Sequence, residues 1–313
     1  MRRHERLPVV GFLLLLAFTV GCAGTKQYAT LAEAGSTYTG AVVALAERAS
    51  AIKTETTSYR LLDARRKLMA RRHALTPAES LTLAGKLSDA DFSDGQIVAL
   101  NRSSIMRARN LHDYFAALQV LAASSAPADI GAKTSSIIKL LNTSINLADG
   151  SASAAIPDNS AVVTRVMTHV NEAVLKKELT ERKGTLLPAL TMLDNITASI
   201  KGGMAKDLKK LRMQRYLMRV ETPFVQVQST SLRSAGDDEQ WVSYRVKHLS
   251  GPDEDAAVTQ LISAAERSSA QFRKVFDKMT SDSEEGYSIE ELESVVEEVN
   301  QFSTIVKSFS KGE

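Results

Sequence analysis

The 313-residue chain has one thiol, Cys22, and five imidazoles. A lone cysteine excludes disulfides within the chain and thiolate metal clusters, so any thiol chemistry happens at that one atom. His73, His112, His169 and His248 are scattered, and no two stand at the spacing that puts a pair of imidazoles on one helix face. The Gly-x-Ser-x-Gly turn that exposes a serine nucleophile is absent, and so is a glycine-rich loop able to cradle phosphate. A hydrolytic site would have to be gathered from distant residues, with His112 or His169 brought beside carboxylates. Two acidic stretches carry the residue types of a calcium loop: Ser88 to Gly95, with Asp89, Asp91, Ser93 and Asp94, and the segment of Asp282, Glu284, Glu285 and Gly286. In the first the glycine falls one place late and no glutamate closes the loop, and in the second the ligand spacing is wrong. No metal, cofactor or catalytic residue is assigned, and helix capping by Asp94 is the expectation for the first stretch.

That leaves Cys22, and the residues before it bear on its chemistry. Arg2, Arg3 and Arg6 precede an uncharged apolar run from Val9 to Val20, and Gly21 stands directly before the cysteine. A basic start, a short apolar core and small residues before a cleavage point are the parts of an export signal. The core is about a dozen residues, short of the roughly 20 that a bilayer-spanning helix needs, so a cleaved signal is expected over residues 1–21. Phe18, Thr19, Val20 and Gly21 followed by Cys22 resemble the lipobox of bacterial lipoprotein precursors. Leucine is commonest three residues before the cysteine in that family, where this chain has Thr19. The resemblance covers residues 1–22. It implies that the Cys22 thiol is alkylated by a diacylglyceryl group, that the chain is cut before it, and that the new amino terminus is acylated. Ala23, where an aspartate would favour retention in the inner membrane, implies the outer membrane, facing the periplasm. No Phe-Leu-Lys follows Arg2 and Arg3, so general secretion is expected and not twin-arginine export. Two or more acyl chains hold a soluble body stably where one does so only marginally.

The 39 basic and 36 acidic residues include Arg2, Arg3, Arg6 and Glu5 of the leader, and without them the count is 36 against 35. Such neutrality speaks against nucleic acid as a partner. The apolar residues are mainly Ala, Leu and Val with 5% aromatics, which suits helices.

Periodicity then sets the elements that carry these residues. After a lipidated spacer over 22–30, Leu31, Tyr38, Leu45, Ile52 and Tyr59 recur every seven residues, with Tyr28, Gly35, Val42, Ala49 and Thr56 three places ahead of each. That is the seam of a long helix packed closely on a neighbour. Thr76, Pro77 and Glu79 form a capping box, starting a short helix to about Leu87 before the acidic loop 88–95. Ile97 to Ala122 and Ile130 to Ala148 read as two further helices, with a linker near 151–158 that is expected to join helices, a sub-division there being the alternative. Val163, Met167, Val170 and Val174 open another helix, Gly184 and Pro188 interrupt or kink the chain, and Gly202 and Gly203 weaken the segment that follows. Lys201 to Arg219 is the most basic part of the body.

From Phe224 to Lys247 the period changes. Val225 and Val227 alternate with glutamines, and Val242, Tyr244 and Val246 alternate with polar residues, which predicts a small β-hairpin over 224–248. Asp253 to Asp255 start a helix with the seam Val258, Leu261, Ala265, Ser268, Phe272, Val275 and Met279. A second capping box, Ser288 and Glu291, opens the last one, and the pair should form an antiparallel hairpin. Glu290, Glu293, Glu297 and Glu298 give it an acidic face that could meet the basic segment within the fold or across subunits.

The expected architecture over 31–313 is an all-α antiparallel bundle of about six to eight helices. The expected function is that of an envelope lipoprotein, held to the membrane through lipid on Cys22, that binds a protein partner or itself without catalysis. Carriage of an apolar ligand or lipid between helices is the alternative, followed by a hydrolase with a dispersed site.

Overall fold

The computed structural model describes residues 7–69, 75–123, 172–225, 235–251, 253–281 and 287–311, with side chains in the first stretch from residue 25 onward. Among these residues every regular element is helical and there is no strand. In chain order they are α1 (Leu7–Met69), α2 (Pro77–Ala123), α3 (Glu172–Tyr216), a π-helical turn (Leu217–Glu221), α4 (Thr222–Val225), α5 (Ala235–Ser250), α6 (Glu254–Thr280) and α7 (Ile289–Lys311). The chain is an all-α bundle.

The helix starts are those written in the sequence. At α2 the Glu79 carboxylate accepts from the Thr76 N–H at 2.9 Å while the Thr76 hydroxyl accepts from the Glu79 N–H at 3.3 Å. The same reciprocal pair opens α7, at 3.2 Å and 3.1 Å between Ser288 and Glu291. Asp253 caps α6, its Oδ1 accepting from the Asp255 N–H at 2.9 Å. Each cap satisfies amide donors that the first turn of a helix leaves without a partner.

The chain divides into two compact units, the first made of Met1–Val43, Met106–Asn195 and Ala264–Glu313, the second of Ala44–Ile105 and Ile196–Ser263. In the first, the predicted seams close on an aromatic centre. Tyr38 lies 6.3 Å from Phe272 and 6.1 Å from Phe302, and Phe115 meets Phe272 edge-on at 5.4 Å. Gly35 makes this approach feasible, since a Cβ there would stand 2.7 Å from Cγ of Phe115. That is the close packing the small side of the α1 seam predicts. α6 and α7 run antiparallel: Ser268 donates to the Glu298 carbonyl at 2.9 Å, and Lys278, ten residues on, meets Glu291 at 2.7 Å.

The second unit has an aliphatic core, with Leu45, Ile52, Met204, Leu211, Val220, Leu261 and Ile262 buried. Polar ties hold it: Thr56 donates to the Asp207 carbonyl at 3.2 Å, Arg215 pairs with Glu55 through Nε at 3.0 Å, and Arg219 reaches Tyr59 Oη at 3.0 Å. Arg212 spans Glu254 at 2.7 Å and the His248 carbonyl.

Three expectations are corrected. The β-hairpin over 224–248 is not formed: Phe224 and Val225 lie in α4, and Trp241 to Lys247 lie in α5. The alternation there arises from two interleaved helical stripes, Trp241, Tyr244 and His248 turned inward and Val242, Val246 and Leu249 outward. Asp237 and Asp238 in the first turn and Lys247 and His248 in the last suit the helix dipole, and an isolated two-stranded hairpin is marginal in water. The acidic loop 88–95 is also helix, so Asp94 caps nothing; α2 runs 47 residues without a break. Residues 25–30 of the expected spacer belong to α1, where Tyr28 is buried and its hydroxyl faces the Met279 carbonyl at 3.4 Å.

α3 likewise passes through Pro188 and both glycines. A proline inside a helix costs about 3 kcal/mol or more, and burial of Leu186, Leu190 and Leu193 around it offsets that. The helix expected at 130–148, the linker and sub-division near 151–158, most of the stripe opening at Val163, and the loop 282–286 lie outside the described residues.

Candidate binding surface

α1 and α2 pair as an antiparallel hairpin within the second unit. Asn101 Nδ2 donates to Ser50 Oγ at 2.6 Å and Thr57 Oγ1 to Asp94 Oδ1 at 3.3 Å, so sequence positions fall on one helix as they rise on the other. Beyond these ties the two helices leave an open groove of about 520 Å3. Leu61 and Leu62 of α1 and Leu87 and Val98 of α2 line it, with Asp91 and Asp94 on one wall. Thr54 and Ser58 also line it, but their hydroxyls donate to their own helix, at 3.2 Å and 2.8 Å, so they add little polarity. Gly95 opens the wall, since a Cβ there would meet nothing within 4 Å.

Apolar exposure in the second unit is not confined to the groove. Leu87 is 50% exposed and Phe92 69%, and Ala90 is the only buried residue of α2 between Pro77 and Ile105 among those described. On α5, Val242, Val246 and Leu249 are 51%, 55% and 63% exposed, an apolar stripe at helical spacing. Behind that stripe α5 is well held. Trp241 donates through Nε1 to the Val220 carbonyl at 2.9 Å and stacks on Phe224 at 5.3 Å, His248 lies 4.4 Å from Tyr216, and Arg219 sits 4.9 Å over the Tyr244 ring. Burial, then the neighbouring Arg212, pushes the His248 imidazole below its usual range and favours its neutral form.

The first unit holds a polar cluster of another kind. Asp194 accepts from Ser269 Oγ at 2.6 Å, from Arg273 at 2.6 Å and from the Tyr38 hydroxyl at 3.3 Å. Arg273 also reaches Thr191 Oγ1 at 3.2 Å. Burial raises the Tyr38 phenol well above its usual range, so it stays protonated and donates. Arg273 meets the charge of the Asp194 carboxylate, and the cluster ties α1, α3 and α6 together within this unit. Sequence reading missed it because its members are spread over more than two hundred residues with no local pattern.

The residues considered from sequence do not converge. His112 Nδ1 lies 3.0 Å from the adjacent Asp113, and the ring packs near Gly40 in the first unit. His73 and His169, and the side chain of Cys22, lie outside the described residues. Glu298 pairs with Arg267 at 3.1 Å, while Arg212 and Arg215 of the basic segment pair with Glu254 and Glu55. Among the described residues no three His, Cys, Asp or Glu side chains gather to hold a metal, and no helix searched is long and apolar enough to cross a membrane. Comparison with family models, curated proteins and solved structures gives no match.

Proposed function

We propose that the chain is a bacterial envelope lipoprotein, anchored by lipid on Cys22 at the outer membrane and facing the periplasm, that binds a protein partner through its second unit without catalysing a reaction. The observation that carries the binding role is the open groove lined by Leu61, Leu62, Leu87 and Val98, in a unit whose α5 also exposes an apolar stripe. An apolar groove open to solvent marks an interaction surface. The anchor rests on the residues around Cys22, which resemble a lipobox.

Carriage of a lipid or another apolar ligand is the competing reading, and the groove volume falls within the usual range for ligand sites. Its lining residues are largely solvent-exposed, which favours a laid-in helix over an enclosed small molecule.

Metabolic labelling with palmitate should mark the wild-type protein and not Cys22→Ser. A mutant that still takes up label, or stays in the membrane fraction unchanged, removes the anchor. Cross-linking in cells followed by affinity capture should recover a bound protein. A strictly monomeric chain without any captured protein removes the binding role, and co-purified lipid in its place supports the carrier.

A further inference from the structure

We infer that the occupant of the α1/α2 groove is a second copy of this chain, seated through its α5. This rests on the binding role proposed above and names the partner. The groove presents an apolar surface with a negative wall, from Asp91 and Asp94. Its natural occupant is an amphipathic helix with aliphatic anchors at i, i+3 or i+4 and i+7 and a cation among them. α5 has that pattern: Val242, Val246 and Leu249 are exposed, and Arg245, also exposed, falls on their side of the helix.

The charges at the ends agree. Asp238 and Glu239 stand one turn ahead of Val242 on the same side of α5, and both are exposed. The two ends of the groove carry exposed cations, Arg65 one turn beyond Leu61 on α1 and Arg102 one turn beyond Val98 on α2. The acidic start of α5 therefore meets a cation in either direction, while Arg245 falls opposite Asp91 and Asp94. Within one copy α5 is held by its contacts with Tyr216, Arg219, Val220 and Phe224, and its exposed stripe stays free for another.

The test uses two differently tagged full-length copies made in the same cells and extracted in mild detergent, one captured and the other quantified. Wild-type copies should be recovered together. Placing Asp91→Arg in both copies, or Arg245→Glu in both, should lower recovery about tenfold, the change that 1.4 kcal/mol of lost pairing gives. Mixing Asp91→Arg copies with Arg245→Glu copies should restore it, because each altered charge then faces its complement. Val246→Asp should abolish recovery with the charges intact. All three sites are exposed, so circular dichroism melting should match the wild type. Variants recovered as well as wild type, or a mixture that stays unpaired while both variants melt normally, overturn the inference. Wild-type copies that ignore each other while a different protein is cross-linked also overturn it and leave the broader binding role standing, and recovery of no protein at all removes both.

Discussion

In the first unit thirty hydrophobic side chains are buried and three large ones exposed among the described residues, whereas in the second ten are buried and twelve large ones exposed. The second unit nevertheless supplies the larger share of the described side chains. Aromatic residues divide the same way: Tyr28, Tyr38, Tyr114, Phe115, Phe272, Phe276 and Phe302 are all buried in the first, and the buried set of the second contains none. Charge follows, with 19 basic and 21 acidic residues in the first and 20 basic and 15 acidic in the second. A chain of net charge +3 is thus divided into an acidic, well-filled part and a basic part that leaves apolar side chains in water. Apolar surface left uncovered weakens a fold by the burial it forgoes, so a partner that covers it should stabilise the second unit in particular.

The contrast can be broken most forcefully at the aromatic centre. Phe115→Ala should lower stability by about 3 to 5 kcal/mol, seen as a large fall in the melting temperature of the first unit. If the loss is under about 1 kcal/mol, the first unit is not the close-packed one. Two glycines sharpen the comparison by moving in opposite directions. Gly35→Ala, which drives a methyl into the Phe115 ring, should destabilise by about 1 to 3 kcal/mol. Gly202→Ala, in a helix of the second unit with nothing within 4 Å of the new methyl, should stabilise by about 0.5 to 1 kcal/mol. Denaturant titration of the two variants side by side gives both signs.

The smallest effect is a pH dependence confined to the first unit. Hydrogen bonds from Lys278, then Lys274, hold the Glu291 carboxyl at about 2, against an ordinary 4.5. Because the folded value is the lower one, the carboxylate's contribution is complete above pH 4.5 and is lost as pH falls toward 2. Melting measured from pH 6 down to pH 2 should therefore decline less steeply in Glu291→Gln than in wild type, and parallel declines would assign the acid sensitivity elsewhere.

Much of the first unit was legible before any coordinates. The five α6 seam residues that fall in this unit, from Ala265 to Met279, are buried, as are Leu292, Val295, Val299, Phe302 and Val306 of α7, because a heptad stripe records which face a helix buries. The Ser288–Glu291 capping box of this unit forms, as does the Thr76–Glu79 box of the second, because their hydrogen bonds span only three residues. The second unit was harder to read. α5 passed for a strand because its inward aromatics and outward aliphatics mix into apparent alternation, and the acidic run 88–95 passed for a loop because polar residues at an exposed helix face resemble those of a turn. The α1/α2 groove depends on which positions of two antiparallel helices come level, and the Asp194 cluster on three helices meeting, so neither leaves a local mark in the chain.

Trp241, the sole indole, sits in the second unit, half-buried, with its N–H on the Val220 carbonyl and its ring against Phe224. Its emission is therefore an optical tag that nature has placed on one unit alone. Fluorescence follows the part that exposes apolar surface, calorimetry registers heat from both, and any gap between the two transitions measures directly how independently the units melt.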